Sequence, residues 1–304
     1  MEKKAYDYER ECSVFLEKIG SEEKLETVSE FSRLIRSHIQ ENSFAAKILP
    51  PEQVNMTHCQ ISKEPQNDTF EIILWKEPDA RAQILTNKAT SDSEYIYADR
   101  VGVPFGVIAS RKFEKSEDEI RIYKGINLTE MVEAHAAKAI GDIQDYSLIS
   151  LARQAVRANG MDFSSGGQPF TKDVLITLLN APHQHQMKTT ITLMTETTFN
   201  NFARQGTEVF GDSLVGEIIR DGMKFKTLMG HPVITTLKNY ILNDNEIFSF
   251  PAPEYLGKFY VLDPEKFIVK KDDGIVSWYC KKNIAMAFIN INGVVRMRLQ
   301  GFGD

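Results

Sequence analysis

Two segments, TFEIILW (residues 69–75) and NLTEMVEAHAAKAIGDIQDYSLISLARQAVRAN (residues 127–159), decide the fold of this 304-residue chain. The first opens a region that continues through RAQILT, EYIYA and VGVPFGVIA and is rich in residues that favour strands. The second has apolar residues at helical spacing and ends at Asn159-Gly160, which is typical of a helix end. The sequence therefore predicts an extended arm of about forty residues that leads into one long helix.

The arm indicates the class of function. Too few of its neighbours in sequence could cover its apolar side chains within a small domain, so we expect it to bury them against other copies of the chain. Its middle, NKATSDSE (residues 87–94), is small and polar, as expected of a loop tip. This arrangement favours an assembly protein over an enzyme.

The helix predicted over 127–159 would be about 45–50 Å long at about 1.5 Å per residue, several times the usual length. The sequence around it lacks the heptad charge pattern of a free coiled coil, so we interpret it as a structural support and call it the spine helix. Its expected buried stripe consists of Leu128, Met131, Val132, Ala136, Ala139, Ile140, Ile143 and Leu151.

Residues 1–42 predict two amphipathic helices separated by Gly20. They could lie on a neighbouring copy or cap their own domain, and the pattern leaves both possibilities open. The second of the two helices has a single apolar stripe, formed by Leu25, Val28, Phe31, Leu34, Ile35 and Ile39.

Residues 43–66 carry three prolines, which predicts an extended connector rather than a helix.

A second unit follows a Gly/Ser loop at residues 164–168 and mixes helices with strands. Because the strands and helices do not alternate as βαβ units, we predict an α+β fold rather than a doubly wound sheet. The predicted helices span 171–179 and 196–204. The predicted strands are TTITLMT (189–195), VITT (233–236), KFYV (258–261), KFIV (266–269), IVSWY (275–279) and AMAFINI (285–291).

Composition excludes several classes of protein. The net charge of −6 gives no overall basic field that would attract nucleic acid or an anionic membrane. The three cysteines are far apart and form no CxxC pair, which fits a reducing intracellular setting. The charged start of the chain is unlike a secretory signal, and the sequence has no apolar run long enough to span a membrane.

Few residues suggest catalysis. The sequence contains no Walker, dinucleotide-binding or GxSxG motif. His183 and His185 could bind a metal if they lay on a strand, but we expect an exposed turn after Pro182. Asp142 and Asp145 could be paired carboxylates, but we expect a solvated helix face. We expect Cys280 to be a small buried apolar residue, and we predict no catalytic residue, metal or cofactor.

The arm also carries candidates for contacts between copies. Basic residues along it could be a solvated face or could pair with acidic groups of a neighbour, and arginine would fix the register better than lysine. Aromatic residues are frequent anchors of such contacts. The candidates are Trp75, Arg81, Lys88, Tyr95, Tyr97, Arg100 and Phe105.

The order of these parts resembles the HK97-fold major capsid proteins of tailed bacteriophages. Segments that look like capsid subunits of this size are SFAAKILPPEQV (43–54), YIYADRVGVPFGVIASRKFEKSEDEI (95–120) and YLGKFYVLDPEKFIVKKDDGIVSWYCKKNIAMAFININGVV (255–295). The resemblance covers nearly the whole chain in layout.

The resemblance implies an N-terminal arm over 1–66, an E-loop region over 67–112 and a P-domain over 113–169 that includes the spine helix. It implies an A-domain over 170–257 and, over 258–304, P-domain strands with a terminal A-domain strand. The implied function is a virion subunit that forms the pentamers and hexamers of an icosahedral head around double-stranded DNA. The implied partners are further copies, a portal protein, a separate scaffolding protein and decoration or cement proteins, with assembly in the host bacterial cytoplasm.

Some relatives join an E-loop lysine to a P-domain asparagine covalently. Lys88 and either Asn290 or Asn292 match these residue types, but we do not expect the crosslink here. Two alternatives to a phage capsid stay open. One is an encapsulin-like nanocompartment shell with the same fold, and the other is a metal-dependent enzyme that uses His183 and His185.

Overall fold

The computed structural model describes residues 43–61, 70–75, 100–122, 128–166, 170–203, 227–228, 230–262 and 266–299. The two amphipathic helices predicted over 1–42 and the predicted loop tip at 87–94 lie outside these ranges. Helices and three sheets occur together, so the predicted α+β class is confirmed. None of the described helices is long and apolar enough to cross a membrane.

The spine helix has 32 residues, from Leu128 to Asn159, in the position that the sequence predicts. The shorter α-helices are Ala45–Ile48, Glu117–Ile122, Lys172–Asn180, Glu196–Ala203 and Pro253–Leu256. The first of them contradicts the prediction of an extended connector. It forms because Ala45 and Ile48 are buried against the body of the protein, which outweighs the effect of the nearby prolines.

One six-stranded sheet, the long sheet, is built on the strand Ile275–Phe288. On one side this strand pairs with Gly257–Val261 and then with Lys266–Asp272. On its other side it pairs with Gly106–Ala109 and Phe113–Ser116. The sixth strand, Pro51–Gln53, runs parallel to Gly257–Val261 at an edge of the sheet.

The sequence predicts two strands, 275–279 and 285–291, where the long sheet has this single strand of 14 residues. The polar segment Lys281 to Asn283 suggested a break. Partners on both sides keep that segment extended, because Lys282 pairs with Ile108 and the Asn283 carbonyl accepts a hydrogen bond from the Leu262 amide.

A second six-stranded sheet, the mixed sheet, contains both parallel and antiparallel pairs. Its central strand, Glu246–Phe250, is buried at every position and was not predicted. A strand buried on both faces loses the alternation that identifies strands in sequence. In spatial order the strands are Asp162–Ser164, Val295–Arg298, Glu246–Phe250, Ile191–Thr195, His231–Thr236 and Thr227–Leu228.

Two strands of the predicted arm, Phe70–Trp75 and Arg100–Pro104, form a small three-stranded sheet, the arm sheet, together with Gln60–Ile61 of the predicted connector. The two arm strands are antiparallel, with Ile72 opposite Val103. The inner face of the arm sheet packs on the long sheet. Its buried cluster contains Ile72, Leu74, Val103, Phe105, Tyr260, Leu262 and Ala285.

The spine helix connects the two larger sheets. Val132, Ala136 and Ile140 pack in one cluster with side chains of the long sheet. Further along, Leu148 and Ala152 pack in another cluster that includes side chains of the mixed sheet. Because the helix meets different neighbours along its length, its buried face shifts, and the predicted stripe is wrong in its second half. Ile143 is exposed and Leu151 is only half-buried, whereas Leu148 and Ile149 are buried.

Candidate functional site

The outer face of the arm sheet presents an exposed aromatic residue beside a cation. Trp75 stands opposite Arg100 in the strand pairing, and 58% of its surface is exposed. The guanidinium carbon of Arg100 lies 4.2 Å from the centre of the indole ring, which is a cation–π contact. Trp and Arg are the residue types that most often dominate the energy of protein interfaces. The sequence names both as candidates, and the strand register brings them together.

Gly102 leaves room for the side chain of Glu71 on this outer face. A Cβ atom at this position would lie 2.9 Å from Glu71 Oε2, so the carboxylate of Glu71 lies directly against the strand. The face therefore displays an indole, a guanidinium and a carboxylate within a few residues of one another. Such a surface can bind apolar and charged groups of a partner at the same time.

Phe105 has a different role from the one that the sequence suggests. Only 7% of its surface is exposed, because it packs in the chain's own core beneath the arm sheet. Its amide donates a hydrogen bond of 2.8 Å to the Phe70 carbonyl. A residue buried in this way does not offer an exposed anchor to a neighbour. The other four candidates, Arg81, Lys88, Tyr95 and Tyr97, lie outside the described residues.

A second feature, the Asp145 junction, joins three parts of the chain. Asp145 is fully buried in the middle of the spine helix. Its Oδ1 accepts hydrogen bonds from the Ser43 hydroxyl at 2.7 Å and from the Ala45 amide at 2.8 Å. Its Oδ2 lies 2.6 Å from the Lys238 ammonium, which is also 2.8 Å from Asp142 Oδ1. The expectation that the two aspartates form a solvated helix face is therefore wrong.

The electrostatics of the Asp145 junction reflect its burial. Burial raises the pKa of the Asp145 carboxyl, and the hydrogen bonds from Lys238, Ala45 and Ser43 offset only part of that effect. Burial lowers the pKa of Lys238, but its bonds to Asp142 and Asp145 outweigh burial, so its pKa is raised. The pKa of Asp145 and the pKa of Lys238 can both be raised because Lys238 binds a second carboxylate, that of Asp142.

The arginine network lies further along the spine helix and ties it to the mixed sheet. Arg296 is bound to Asp162, and its Nη1 lies 3.1 Å from Glu246 Oε1. The other oxygen of Glu246 accepts a hydrogen bond of 2.5 Å from Arg153 of the spine helix. Arg298 donates a further bond to Asp162. Burial raises the pKa of Asp162, but the bonds from Arg296 outweigh this effect and lower the pKa.

Comparison with known proteins identifies the fold. No protein-family model matches the sequence, and a search of the curated proteins finds none that matches. Among solved structures, the capsid of a native GTA particle superposes with a TM-score of 0.59 at 14% identity, over 85% of this chain and 91% of that chain. A structure from Microbacterium phage Oxtober96 gives a TM-score of 0.57 at 9% identity, over the same shares of the two chains.

This chain has the HK97 capsid fold. A virus-like particle from Pyrococcus furiosus superposes with a TM-score of 0.50 at 13% identity, over 90% of this chain and all of that chain.

The metal-enzyme alternative finds no support in this HK97-fold chain. His183 and His185 lie in a 3₁₀ turn, Ala181–His185, and are exposed, as the sequence predicts for a turn. The parts of the chain that the structure describes contain no cluster of three or more His, Cys, Asp or Glu residues that could hold a metal ion. Cys280 is fully buried in the long sheet, which confirms its prediction as a small apolar residue.

Asn290 and Asn292, the candidate crosslink partners in the HK97 fold, lie in and beside the short turn Ile291–Gly293. The Asn290 side chain accepts a hydrogen bond of 3.4 Å from the Asn292 amide. Lys238 and Arg296 are not among the residues that the sequence marks as candidates. Lys238 follows the strand His231–Thr236, and Arg296 lies within the strand Val295–Arg298. The acidic partners of both are at least 50 residues away in sequence, so no local pattern marks them.

Proposed function

We propose that this chain is a major capsid protein that assembles into the pentamers and hexamers of an icosahedral phage head enclosing double-stranded DNA. The observation that carries the proposal is the similarity to the capsid of a GTA particle over 85% of the chain. The net charge of −6 fits a container that should not bind its nucleic acid too strongly.

The sheets support the assignment of regions. We assign 1–66 to an N-terminal arm, 67–112 to an E-loop region, 113–169 to a P-domain, 170–257 to an A-domain, and 258–304 to P-domain strands with a terminal A-domain strand. The strand Val295–Arg298 belongs to the mixed sheet, whereas Ile275–Phe288 belongs to the long sheet, which agrees with a divided C-terminal region. Gly106–Ala109 pairs in the long sheet and Asp162–Ser164 in the mixed sheet, which favours slightly earlier boundaries at these two points.

The outer face of the arm sheet is the surface that we assign to contacts between copies. Trp75 is exposed, although an indole of this size gains most when it is buried. Arg100 holds the ring in one orientation, which reduces the entropy lost when a neighbour covers it.

Electron microscopy and sedimentation of the purified chain test this proposal. We expect closed shells or rings of subunits from the unmodified chain. Trp75→Ala should raise the protein concentration needed for assembly by more than about tenfold, the effect of losing an interface hot spot. Tyr255→Ala is the matched control, because Tyr255 is 67% exposed and lies outside the arm sheet. A chain that stays monomeric under every assembly condition would contradict the proposal.

The similarity to the Pyrococcus furiosus virus-like particle supports a second candidate, an encapsulin-like shell that holds a protein cargo. The contents of purified particles distinguish the two. A phage head should contain DNA when it is isolated from infected cells, together with a portal protein and, before maturation, a scaffolding protein. Decoration or cement proteins would bind its outer surface. A shell that carries an enzyme and no nucleic acid would favour the second candidate.

A further inference from the structure

Four exposed apolar or aromatic side chains surround the ion pair of Asp142 and Lys238. Single exposed apolar residues are normal on a protein surface and need no explanation. A group of them around one point is a mark of an interaction site. The exposed fractions are 37% for Ile143, 60% for Tyr146, 82% for Leu237 and 67% for Tyr240.

A hydrogen bond, helix spacing and position in the chain place these four side chains next to the ion pair. Ile143 and Tyr146 are three residues apart on the spine helix and are therefore neighbours on its face. The Tyr240 hydroxyl donates a hydrogen bond of 2.7 Å to Asp142 Oδ2. Leu237 directly precedes Lys238, whose ammonium lies 2.8 Å from the other oxygen of Asp142. We call this surface the spine patch.

The chain itself indicates what covers the spine patch. Ser43, the first described residue, donates its hydroxyl hydrogen bond to Asp145, which is adjacent to Tyr146 in the spine helix. Residues 1–42 therefore join the body of the protein beside the patch. Ile39 is four residues before Ser43, so even a fully extended linker would keep it within about 14 Å of that point.

The sequence of residues 21–40 has the pattern that such a surface requires. An amphipathic helix binds a groove or patch through apolar residues at spacings of three and four, and Phe31, Leu34, Ile35 and Ile39 have these spacings. A short tether raises the effective concentration of the segment at its own patch to about the millimolar range, which favours its own chain over a neighbour in dilute solution.

We propose that the apolar stripe of residues 25–39 docks on the spine patch of its own chain. The segment covers Ile143, Tyr146, Leu237 and Tyr240, and the Asp145 junction fixes its C-terminal end. The inference concerns the unassembled subunit and does not depend on the formation of a capsid.

Limited proteolysis of the full-length, unassembled chain tests the docking. Trypsin cleaves after Arg33 and Arg36, which lie in the segment that carries the stripe, and mass spectrometry gives the rate at each site. We expect the double variant Ile143→Ser/Tyr146→Ser to raise both rates by about tenfold, which corresponds to about 1.4 kcal/mol of docking free energy. Phe31→Ser/Leu34→Ser should raise them by a similar factor, and the combination of all four changes should add little.

Tyr255→Ser is the matched control and should leave the rates unchanged. Tyr255 is 67% exposed, close to the 60% of Tyr146, but it belongs to the helix Pro253–Leu256, which carries none of the four patch residues. Equal rates in the unmodified chain and the patch variant would overturn the proposal. So would protection that appears only as the protein concentration rises, because that result would assign the segment to the patch of a neighbouring copy. An accelerated rate in the control would overturn it as well, since the effect would not be specific to the patch.

Discussion

Two ion-paired clusters lie along the spine helix, and they are built differently. The arginine network places Arg296 between Asp162 and Glu246, so that planar guanidinium groups bind carboxylates within and beside the mixed sheet. The Asp145 junction instead holds a fully buried carboxylate with one lysine and with donors from the segment at Ser43 and Ala45. The direction of the pKa shift follows this difference, since the pKa of Asp162 is lowered and that of Asp145 is raised.

The two clusters hold different parts of the chain together: the arginine network fixes the fold, and the Asp145 junction holds a chain segment. The arginine network joins regular elements, namely the spine helix and three strands of the mixed sheet. The Asp145 junction joins the spine helix to the point where residues 1–42 enter the body and to the turn that carries Lys238. We therefore expect damage to the network to destabilise the whole chain, and damage to the junction to act mainly on the N-terminal segment.

The largest effect is expected from Arg296→Met, which keeps the volume of the side chain but removes its charge. Glu246, which is buried, loses one of its two arginine partners, and the loss of one member of a buried ion pair costs about 3–5 kcal/mol. Denaturant unfolding of the unassembled chain measures the loss. Arg298→Met is the control and should cost less than about 1 kcal/mol, because Arg298 is exposed. Equal losses in the two variants would contradict the importance of the network.

A smaller effect is expected from Asp145→Ala, at about 2–3 kcal/mol. The variant leaves the Ser43 hydroxyl and the Ala45 amide without their acceptor, and a buried donor without a partner costs about 1–3 kcal/mol. Hydrogen exchange should show the largest gain in amide opening over residues 43–49. In Asp142→Ala, Lys238 keeps Asp145 as its partner, so this control should cost about 1 kcal/mol or less. Uniform opening across the mixed sheet would argue against a local role for the junction.

The sequence predicted the parts whose signals are local. The spine helix followed from apolar spacing and its terminal Asn159-Gly160. The strands that carry Trp75 and Arg100 followed from residue types that favour strands, and the contact of these two residues with another copy stays a prediction. The Asp145 junction could not be predicted in the same way. Two aspartates three residues apart on a helix fit a solvated helix face. The partners of the buried Asp145, Lys238 and Ser43, are 93 and 102 residues away in sequence.

Two of the misjudged strands can be explained by their surroundings in the fold. Glu246–Phe250 is covered on both faces, and it contains a buried glutamate and a buried serine, so it shows neither alternation nor the continuous apolar run of a buried strand. Ile275–Phe288 passes through a polar stretch that only its neighbours on both sides hold extended.

Phe105 was assigned to a contact between copies because an aromatic residue on an arm suggests an anchor. The packing of the arm sheet on the long sheet decides otherwise.

A third prediction uses acid to separate the two clusters. The ordinary pKa of an aspartate is 3.8. The raised pKa of Asp145 means that the folded chain binds its proton more readily than the unfolded chain, so this residue's contribution to stability grows as the pH falls toward that value. The lowered pKa of Asp162 has the opposite sign. Its contribution is complete above the ordinary value and is lost as the pH falls below it.

Each aspartate should therefore change the pH dependence of unfolding in its own direction. Asp145→Asn should remove a gain in stability on mild acidification, and Asp162→Asn should remove a loss at more acidic pH. We expect the Asp162 effect to be less than about 1 kcal/mol, because solvent screens this partly exposed group. Unfolding free energies measured in matched buffers across the acidic range test both. If both variants changed the slope of unfolding free energy against pH in the same direction relative to the unmodified chain, the difference between the two clusters would be contradicted.

The smallest effect concerns Tyr240, which lies on the exposed side of the Asp145 junction. Burial and the hydrogen bond to Asp142 raise the pKa of Tyr240 to about 12, because the negative charge of Asp142 disfavours the phenolate. Tyr240→Phe should cost about 0.5 kcal/mol, at the low end for a hydrogen bond, because the side chain is exposed. Asp142→Asn should lower the pKa of Tyr240 toward its ordinary value of 10.0. Ultraviolet titration of each chain against its Tyr240→Phe counterpart isolates this phenol. An unchanged pKa in Asp142→Asn would mean that the junction ends at Asp145 and does not extend to the surface.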